Sequence, residues 1–188
     1  MDADDFCIVP FHEGYEVESF DCGNDDLNEF LTTQEVAKYQ EDLLGKTYLV
    51  YRRDPWELVA YYTIASDRLE IPKDWVKKSM TRSRDVKIYP ALLLGRLAVQ
   101  LSLKGTGIGS IVLKYIFTQA LDSNQAIRFI RLVAYHDSLP FYRNRGFEFV
   151  SDQDEAKASD PAAKPRLFFD LKELPENFAR VNIALADS

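Results

Sequence analysis

Cysteine and histidine are scarce: Cys7, Cys22, His12 and His136 are the only ones in 188 residues. Two cysteines pair at most once, so no disulfide scaffold is expected. The scattered spacing of the four residues matches no zinc motif, and no metal is expected. Long apolar runs are also missing. None approaches the ~20 residues of a membrane span, and the chain opens on the acidic Met1-Asp-Ala-Asp-Asp5 rather than on a basic-then-apolar leader. The expectation is a soluble cytoplasmic protein that makes no membrane contact. Excess positive charge is absent too. A net charge of −7 argues against broad, non-specific nucleic-acid binding while leaving a local basic patch open. No Gly-x-Ser-x-Gly elbow supports a serine hydrolase. Without repeats or low-complexity linkers, 1–188 reads as a single domain, with a core over about 6–171 and a tail at 172–188.

What the chain has is a globular composition, 46% hydrophobic with 12 Phe and 10 Tyr, and one stretch around which the rest is organised. An apolar run, Ala91 to Val99, reads as a strand. Lys104-Gly-Thr-Gly-Ile-Gly109 follows as a loop, and Ser110 to Leu121 as a helix, with Ile111, Val112, Tyr115, Ile116 and Leu121 on one buried face. Glycines at 105, 107 and 109 permit backbone conformations closed to other residues and leave no Cβ in front of the amides. A helix start offers unpaired N–H groups and a positive dipole end, and Lys104 adds a full charge. The stretch is built to hold a phosphate or pyrophosphate. Counted from Gly105 or from Gly107, the sixth position is Ser110 or Val112, so the dinucleotide fingerprint fails, and no P-loop string occurs.

The remaining elements follow in order. Phe6 to Phe11 reads as a first strand interrupted by Pro10. Asn24 or Asp25 caps a helix to about Leu43, with Gly45 ending it. Lys46–Tyr51 and Leu58–Ala65 read as a hairpin around Pro55, in which Tyr61 and Tyr62 are packing residues. Pro72 to Ile88 is the basic part of the chain, with Lys73, Lys77, Lys78, Arg82, Arg84 and Lys87 against Asp74 and Asp85. It reads as a solvated loop, or as a contact for an anionic acceptor or for the 3′-phosphate side of a CoA cosubstrate. Arg128 to Tyr135 is a further strand, followed by a cap at His136-Asp-Ser138 and a short helix that Gly146 terminates. Phe147–Val150 is a strand, Ser151–Lys164 a mobile surface loop, and Leu167–Leu171 a final strand. A short helix is expected between Phe178 and Leu185.

Three stretches of the chain carry a family likeness. Leu97-Ala98-Val99 followed by Lys104-Gly105-Thr106-Gly107-Ile108-Gly109 resembles the acyl-CoA loop of the GNAT acetyltransferase superfamily, with Lys104 where that family has Gln or Arg. Phe141-Tyr142-Arg143-Asn144-Arg145-Gly146-Phe147 resembles the family's Phe-Tyr-x-x-x-Gly-Phe helix end. Phe20-Asp21-Cys22-Gly23 and Leu27-Asn28-Glu29-Phe30-Leu31 resemble the amino-terminal signature of one branch, which holds stand-alone bacterial acetyltransferases and the toxins of toxin–antitoxin pairs. Many members carry an Asn near the start of the Tyr142 helix; here Asp137 and Ser138 occupy that region.

The resemblance implies an α/β (α+β) GNAT fold, a mixed, mostly antiparallel twisted sheet of six to seven strands flanked by helices. It implies acetyl-CoA as cosubstrate, bound by Leu97, Ala98, Val99, Lys104, Gly105, Thr106, Gly107, Ile108, Gly109 and Ser110. The strand ending at Val99 would splay from its neighbour and offer backbone groups to the pantetheine arm and the thioester carbonyl. Tyr142 is the candidate general acid toward the departing sulfur. Glu70, Asp67, Tyr61 or a water are unranked candidates for the base, and His136 reads as a turn residue. Three functions follow: an N-acetyltransferase acting on a small-molecule, peptide or protein amine, a toxin acetylating aminoacyl-tRNA and held by an antitoxin, and a non-catalytic CoA sensor. Exposed strand edges in this fold often pair, which admits a homodimer.

Overall fold

The computed structural model describes residues 3–70, 88–176, 178 and 184–185. The basic segment from Pro72 therefore lies almost wholly outside the described residues. In chain order the main elements are β1 (Phe6–Pro10), α1 (Asp25–Thr32), α2 (Glu35–Glu41), β2 (Lys46–Arg53), β3 (Trp56–Glu70) and β4 (Ile88–Val99). They continue as α3 (Ile108–Asp122), β5 (Phe129–Val133), α4 (Leu139–Arg143), β6 (Glu148–Phe149), α5 (Asp152–Ala156), β7 (Arg166–Asp170) and β8 (Ala184–Leu185). The strands hydrogen-bond in the order β6-β7-β5-β4-β3-β2-β1-β8, a mixed and mostly antiparallel sheet, as expected. The eighth strand comes from the tail: Ala184 and Leu185 pair in parallel with Cys7 and Ile8, so the described end of the expected tail helix is extended chain.

The chain divides into two compact units. The first spans Met1–Ala65, Gly95–Asp122 and Ala179–Ser188. Its core gathers Cys7 and Val9 of β1, Phe20, Phe30 and Leu31 from around α1, Leu49 of β2, Tyr61 of β3 and Ala98 of β4. Strand alternation explains why neighbouring tyrosines are both fully buried. The Tyr61 hydroxyl donates to the Leu27 carbonyl of α1 at 2.7 Å. Tyr62 turns to the opposite face, where its hydroxyl approaches Gln119 Oε1 of α3 at 3.5 Å and its ring stacks on Tyr48 at 5.0 Å. The single N-terminal helix expected from Asn24 to Leu43 is two helices. Asn24 does cap the first, accepting from the Leu27 amide at 3.1 Å, but Thr33 is extended and breaks the run. Gly45 does not end the second. Leu43 takes the left-handed turn, φ 56°, with its side chain 90% exposed. Gly45 is small because a Cβ there would stand 2.7 Å from the Tyr39 ring and 2.8 Å from the Ile64 carbonyl.

The second unit spans Ser66–Leu94 and Ser123–Phe178. Leu69, Tyr89, Ala91, Phe129, Val150 and Phe168 form its core, with Tyr89 and Phe168 each meeting the Phe129 ring edge-on at 5.7 Å. Arg128 and Asp170 tie β5 to β7 at 2.6 Å. The expected mobile loop from Ser151 to Lys164 is largely folded. Ser151 caps α5, and the Asp154 carboxylate, 0% exposed, receives the Arg166 guanidinium at 2.9 Å and the Arg166 amide at 3.1 Å. Burial alone would raise the Asp154 pKa. The bonds from Arg166 and Ser151 outweigh it and hold the carboxyl far below the usual range.

Candidate active site

The glycine stretch folds as strand, loop and helix, and from Gly95 on it belongs to the first unit. β4 pairs in parallel with β5 from Ala91↔Phe129 to Leu94↔Leu132. β4 then runs on to Val99, so Gly95–Val99 extends past that pairing. Beyond the strand, the Gln100 amide returns to the Val59 carbonyl at 2.8 Å, and a short turn over Leu101–Leu103 leads into the loop. Gly105 and Gly107 have φ of +81° and +99°, and nothing lies within 4 Å of the Cβ either would carry. These two positions need glycine for backbone conformation, and the space before them is open. Gly109 differs from expectation: it lies inside the first turn of α3.

The helix starts two residues earlier than the sequence indicates, at Ile108. Ser110 and Ile111 amides bond back to the Gly107 carbonyl at 3.0 and 3.2 Å. The amides of Gly107, Ile108 and Gly109 thus stand ahead of the first intrahelical bond. Burying Val112 and Ile116, roughly 2 kcal/mol each, outweighs the approximately 1 kcal/mol that Gly109 costs a helix. The helix is therefore held by its packed face while its first turn stays free of side chains that would block an anion.

The amino-terminal signature lies against the exit of β4, a relationship that no local pattern reveals. The Asp21 carbonyl accepts from the Leu101 amide at 2.7 Å, and the Asp21 amide donates to Gln100 Oε1 at 3.1 Å. Asp21 Oδ1 accepts from the Gly23 amide at 2.7 Å and from Asn28 Nδ2 at 2.8 Å. Those two bonds, with a smaller pull from Lys104, lower its pKa. Asn28 Oδ1 accepts from the Cys22 amide at 2.9 Å. Asp21, Asn28 and Gln100 are further functional candidates: Asp21 and Asn28 stood out only as parts of the amino-terminal signature, and the Asp21–Gln100 link escaped because it joins positions 79 residues apart.

Tyr142 belongs to the second unit, on α4, and only 7% of it is exposed. Its ring meets Phe141 at 5.0 Å and Phe147 at 5.3 Å, both edge-on. Gly146, φ +83°, closes the helix as expected, and a Cβ there would stand 3.1 Å from Phe169. Ser138 does not cap with its side chain; its hydroxyl donates back to the Tyr135 carbonyl at 2.8 Å. Burial pushes the Tyr142 phenol well above its ordinary value, with the Arg145 charge offsetting part of the effect. The phenol therefore stays protonated through the neutral range.

No family model matches the chain. Among solved structures, the chain is similar to a tyrosine-to-phenylalanine mutant of the toxin AtaT bound to the C-terminus of the antitoxin AtaR and acetyl-CoA, at 25% identity and a TM-score of 0.63 over 90% of this chain and 95% of that one. It is similar to AtaT complexed with acetyl-methionyl-tRNAfMet, at 25% identity and a TM-score of 0.67 over 89% and 96% of the two chains. A tyrosine-to-phenylalanine mutant of KacT matches in fold at 22% identity, with a TM-score of 0.70 over 89% and 96%. The fold is GNAT-like, and the likeness supports an acyltransferase. Within that fold the candidate bases separate. Asp67 is ion-paired with Arg131, and Tyr61 is fully buried with its hydroxyl committed to Leu27. Glu70 is exposed, and His136 lies on a turn, 3.7 Å from the Asp137 carboxylate. Among the described residues no helix is long and apolar enough to cross a membrane.

Proposed function

We propose that this enzyme transfers the acetyl group of acetyl-CoA to the amino group of an aminoacyl-tRNA, as the toxin of a pair with a protein antitoxin. The observation that carries this reading is the likeness to AtaT complexed with acetyl-methionyl-tRNAfMet, which extends over 89% of this chain. The open glycine loop supports the cosubstrate. In this reading the amides of Gly105, Gly107, Ile108 and Gly109 and the Lys104 charge hold the pyrophosphate, the Thr106 and Ser110 amides being bonded to the Leu103 and Gly107 carbonyls. Fixing that unreacting half of the cosubstrate positions the thioester and supplies several kcal/mol of the barrier reduction.

Main-chain groups of Leu97, Ala98 and Val99, past the last β4–β5 pair, receive the pantetheine arm and polarise the thioester carbonyl. The acceptor amine attacks as the neutral species, so its proton leaves before or during attack. Tyr142 serves the departing sulfur. A phenol reference pKa of ~10 already exceeds the ~8.5 of a thiol, and burial widens the gap. Tyr142 thus offers its O–H to the departing thiolate as a hydrogen-bond donor and keeps its proton, while the thiolate takes its own from solvent after release.

A second reading, a free small-molecule or peptide amine as acceptor, draws on the net charge of −7, since RNA binding rewards positive charge. CoA thiol release, followed against charged tRNA and against a panel of free amines and peptides, separates the two. Release with charged tRNA alone is expected. Release with free amines alone would replace the acceptor, and tight acetyl-CoA binding without any release would favour a sensor.

A further inference from the structure

β4 carries an arginine just ahead of the strand end assigned to the cosubstrate. The Arg96 guanidinium carbon lies 3.5 Å above the Phe30 ring and 5.4 Å from the Tyr39 ring. Stacking fixes the plane of the group and leaves its fork of N–H donors unspent. Four other arginines are held by carboxylates, Arg52 by Glu57, Arg128 by Asp170, Arg131 by Asp67 and Arg166 by Asp154, while Arg53, Arg143 and Arg145 donate to main-chain carbonyls. Among the described residues Arg96 has neither a carboxylate nor a hydrogen-bond partner, and its side chain is partly exposed.

The strand beside it is shaped for a close approach. A Cβ on Gly95 would stand 2.7 Å from Thr63 Oγ1 and 3.8 Å from the Tyr39 hydroxyl. Tyr39 thus lies near both Gly95 and the Arg96 guanidinium. Thr63 and its register partner Thr47 carry buried hydroxyls without partners. A pinned cation thus follows directly on a glycine that packs against the unpartnered Thr63 hydroxyl, in a chain whose overall charge is negative.

We propose that Arg96 is an acceptor-side anion contact, its guanidinium edge taking a phosphate oxygen of the acceptor RNA near its aminoacylated end. This assignment rests on the acceptor reading given above. Phosphate is shared by the RNA and by acetyl-CoA, and the RNA is favoured because the loop amides and Lys104 serve the cosubstrate's pyrophosphate. A contact of this kind positions the acceptor without reading its sequence.

The test uses the full chain as wild type, Arg96→Gln and Arg96→Lys. The probes are acetyl-CoA, titrated by calorimetry, and a tRNA joined to its amino acid by a stable 3′-amide, titrated over a range of salt. In Arg96→Gln the RNA affinity falls roughly tenfold or more. The slope of log affinity against log salt shrinks by about one, and acetyl-CoA binding is unchanged. Arg96→Lys restores the slope but not the full affinity, because the ammonium lacks the planar fork. Weaker acetyl-CoA binding with an unchanged RNA slope would give the guanidinium to the cosubstrate and overturn the assignment. Unchanged binding of both probes with a lower melting temperature would reduce the stack to a structural contact or leave it to a protein partner's carboxylate. Either result overturns this assignment alone. A wild type that binds no RNA would remove the acceptor reading along with it.

Discussion

The Leu101 amide donates to the Asp21 carbonyl at 2.7 Å, which ties the amino-terminal segment to the exit of the cofactor strand through main-chain atoms. The Asp21 amide and Gln100 side chain add a second bond between positions 79 residues apart. The conformation of the turn that feeds the glycine loop therefore depends on a segment far away in sequence, held in shape by Asn28.

Replacing Asn28 with alanine removes the bond to Asp21 Oδ1 and leaves the amide of buried Cys22 without its acceptor. The expected destabilisation is about 1–3 kcal/mol, accompanied by weaker acetyl-CoA binding as the loop entry loosens. Asp21→Asn, which keeps an acceptor oxygen, should retain most of the affinity. Thermal melts and calorimetry on the two variants check this. Full acetyl-CoA affinity in Asn28→Ala would sever the link between signature and loop.

Tyr142→Phe should lower kcat by about a hundredfold or more and leave the acetyl-CoA dissociation constant unchanged. Because burial raises the phenol pKa, the group stays protonated beyond its ordinary ~10. Any alkaline loss of activity below that pH must then come from another group, and the same loss should persist in the residual activity of the variant. A variant as active as its parent would end the assignment without touching the fold.

At Gly107, φ +99° in open space, glutamate meets no neighbour but forces an L side chain into the left-handed region and sets a negative charge before the helix start. Strain of roughly 1–2 kcal/mol is expected, and acetyl-CoA binding should weaken by far more than the melting temperature falls. Unchanged affinity would refute the loop as the pyrophosphate site.

Asp154 supplies a pH-dependent part of stability. Its pKa is depressed in the folded state, so its contribution is fully present above the unfolded value of ~3.9 and is lost as pH falls through that value and below. Asp154→Asn should cost about 2–4 kcal/mol at neutral pH, since it leaves Arg166 without its charge partner. The gap between the variant's and the parent's melting temperatures should narrow on acidification below pH ~4. A gap that stays constant with pH would show that packing, not charge, explains the loss.

What could be read in the sequence was what short-range patterning determines. The run from Ala91 to Val99, the positive-φ glycines at 105, 107 and 146, and the buried face of α3 all follow from local spacing. What escaped depends on distant partners. Ser151–Lys164 looked like a loop because Asp154 finds Arg166 only when β7 comes alongside. Gly45 looked like a helix stop because its real constraint is the Tyr39 ring. The tail strand exists only against β1. At the candidate site the phosphate-holding loop and Tyr142 stood out; Asp21 and Asn28 showed as a signature whose link to the loop was hidden, and Gln100 and the stacked Arg96 did not show, since each owes its place to a contact across the fold.

The most direct test of the proposed function is mass spectrometry of the aminoacyl end released by nuclease from charged tRNA, after incubation with the enzyme in the presence and absence of acetyl-CoA. The account predicts an N-acetylated aminoacyl adenosine that forms only with acetyl-CoA and is sharply reduced with Tyr142→Phe. Charged ends that stay unmodified while the same enzyme releases CoA with free amines would contradict it.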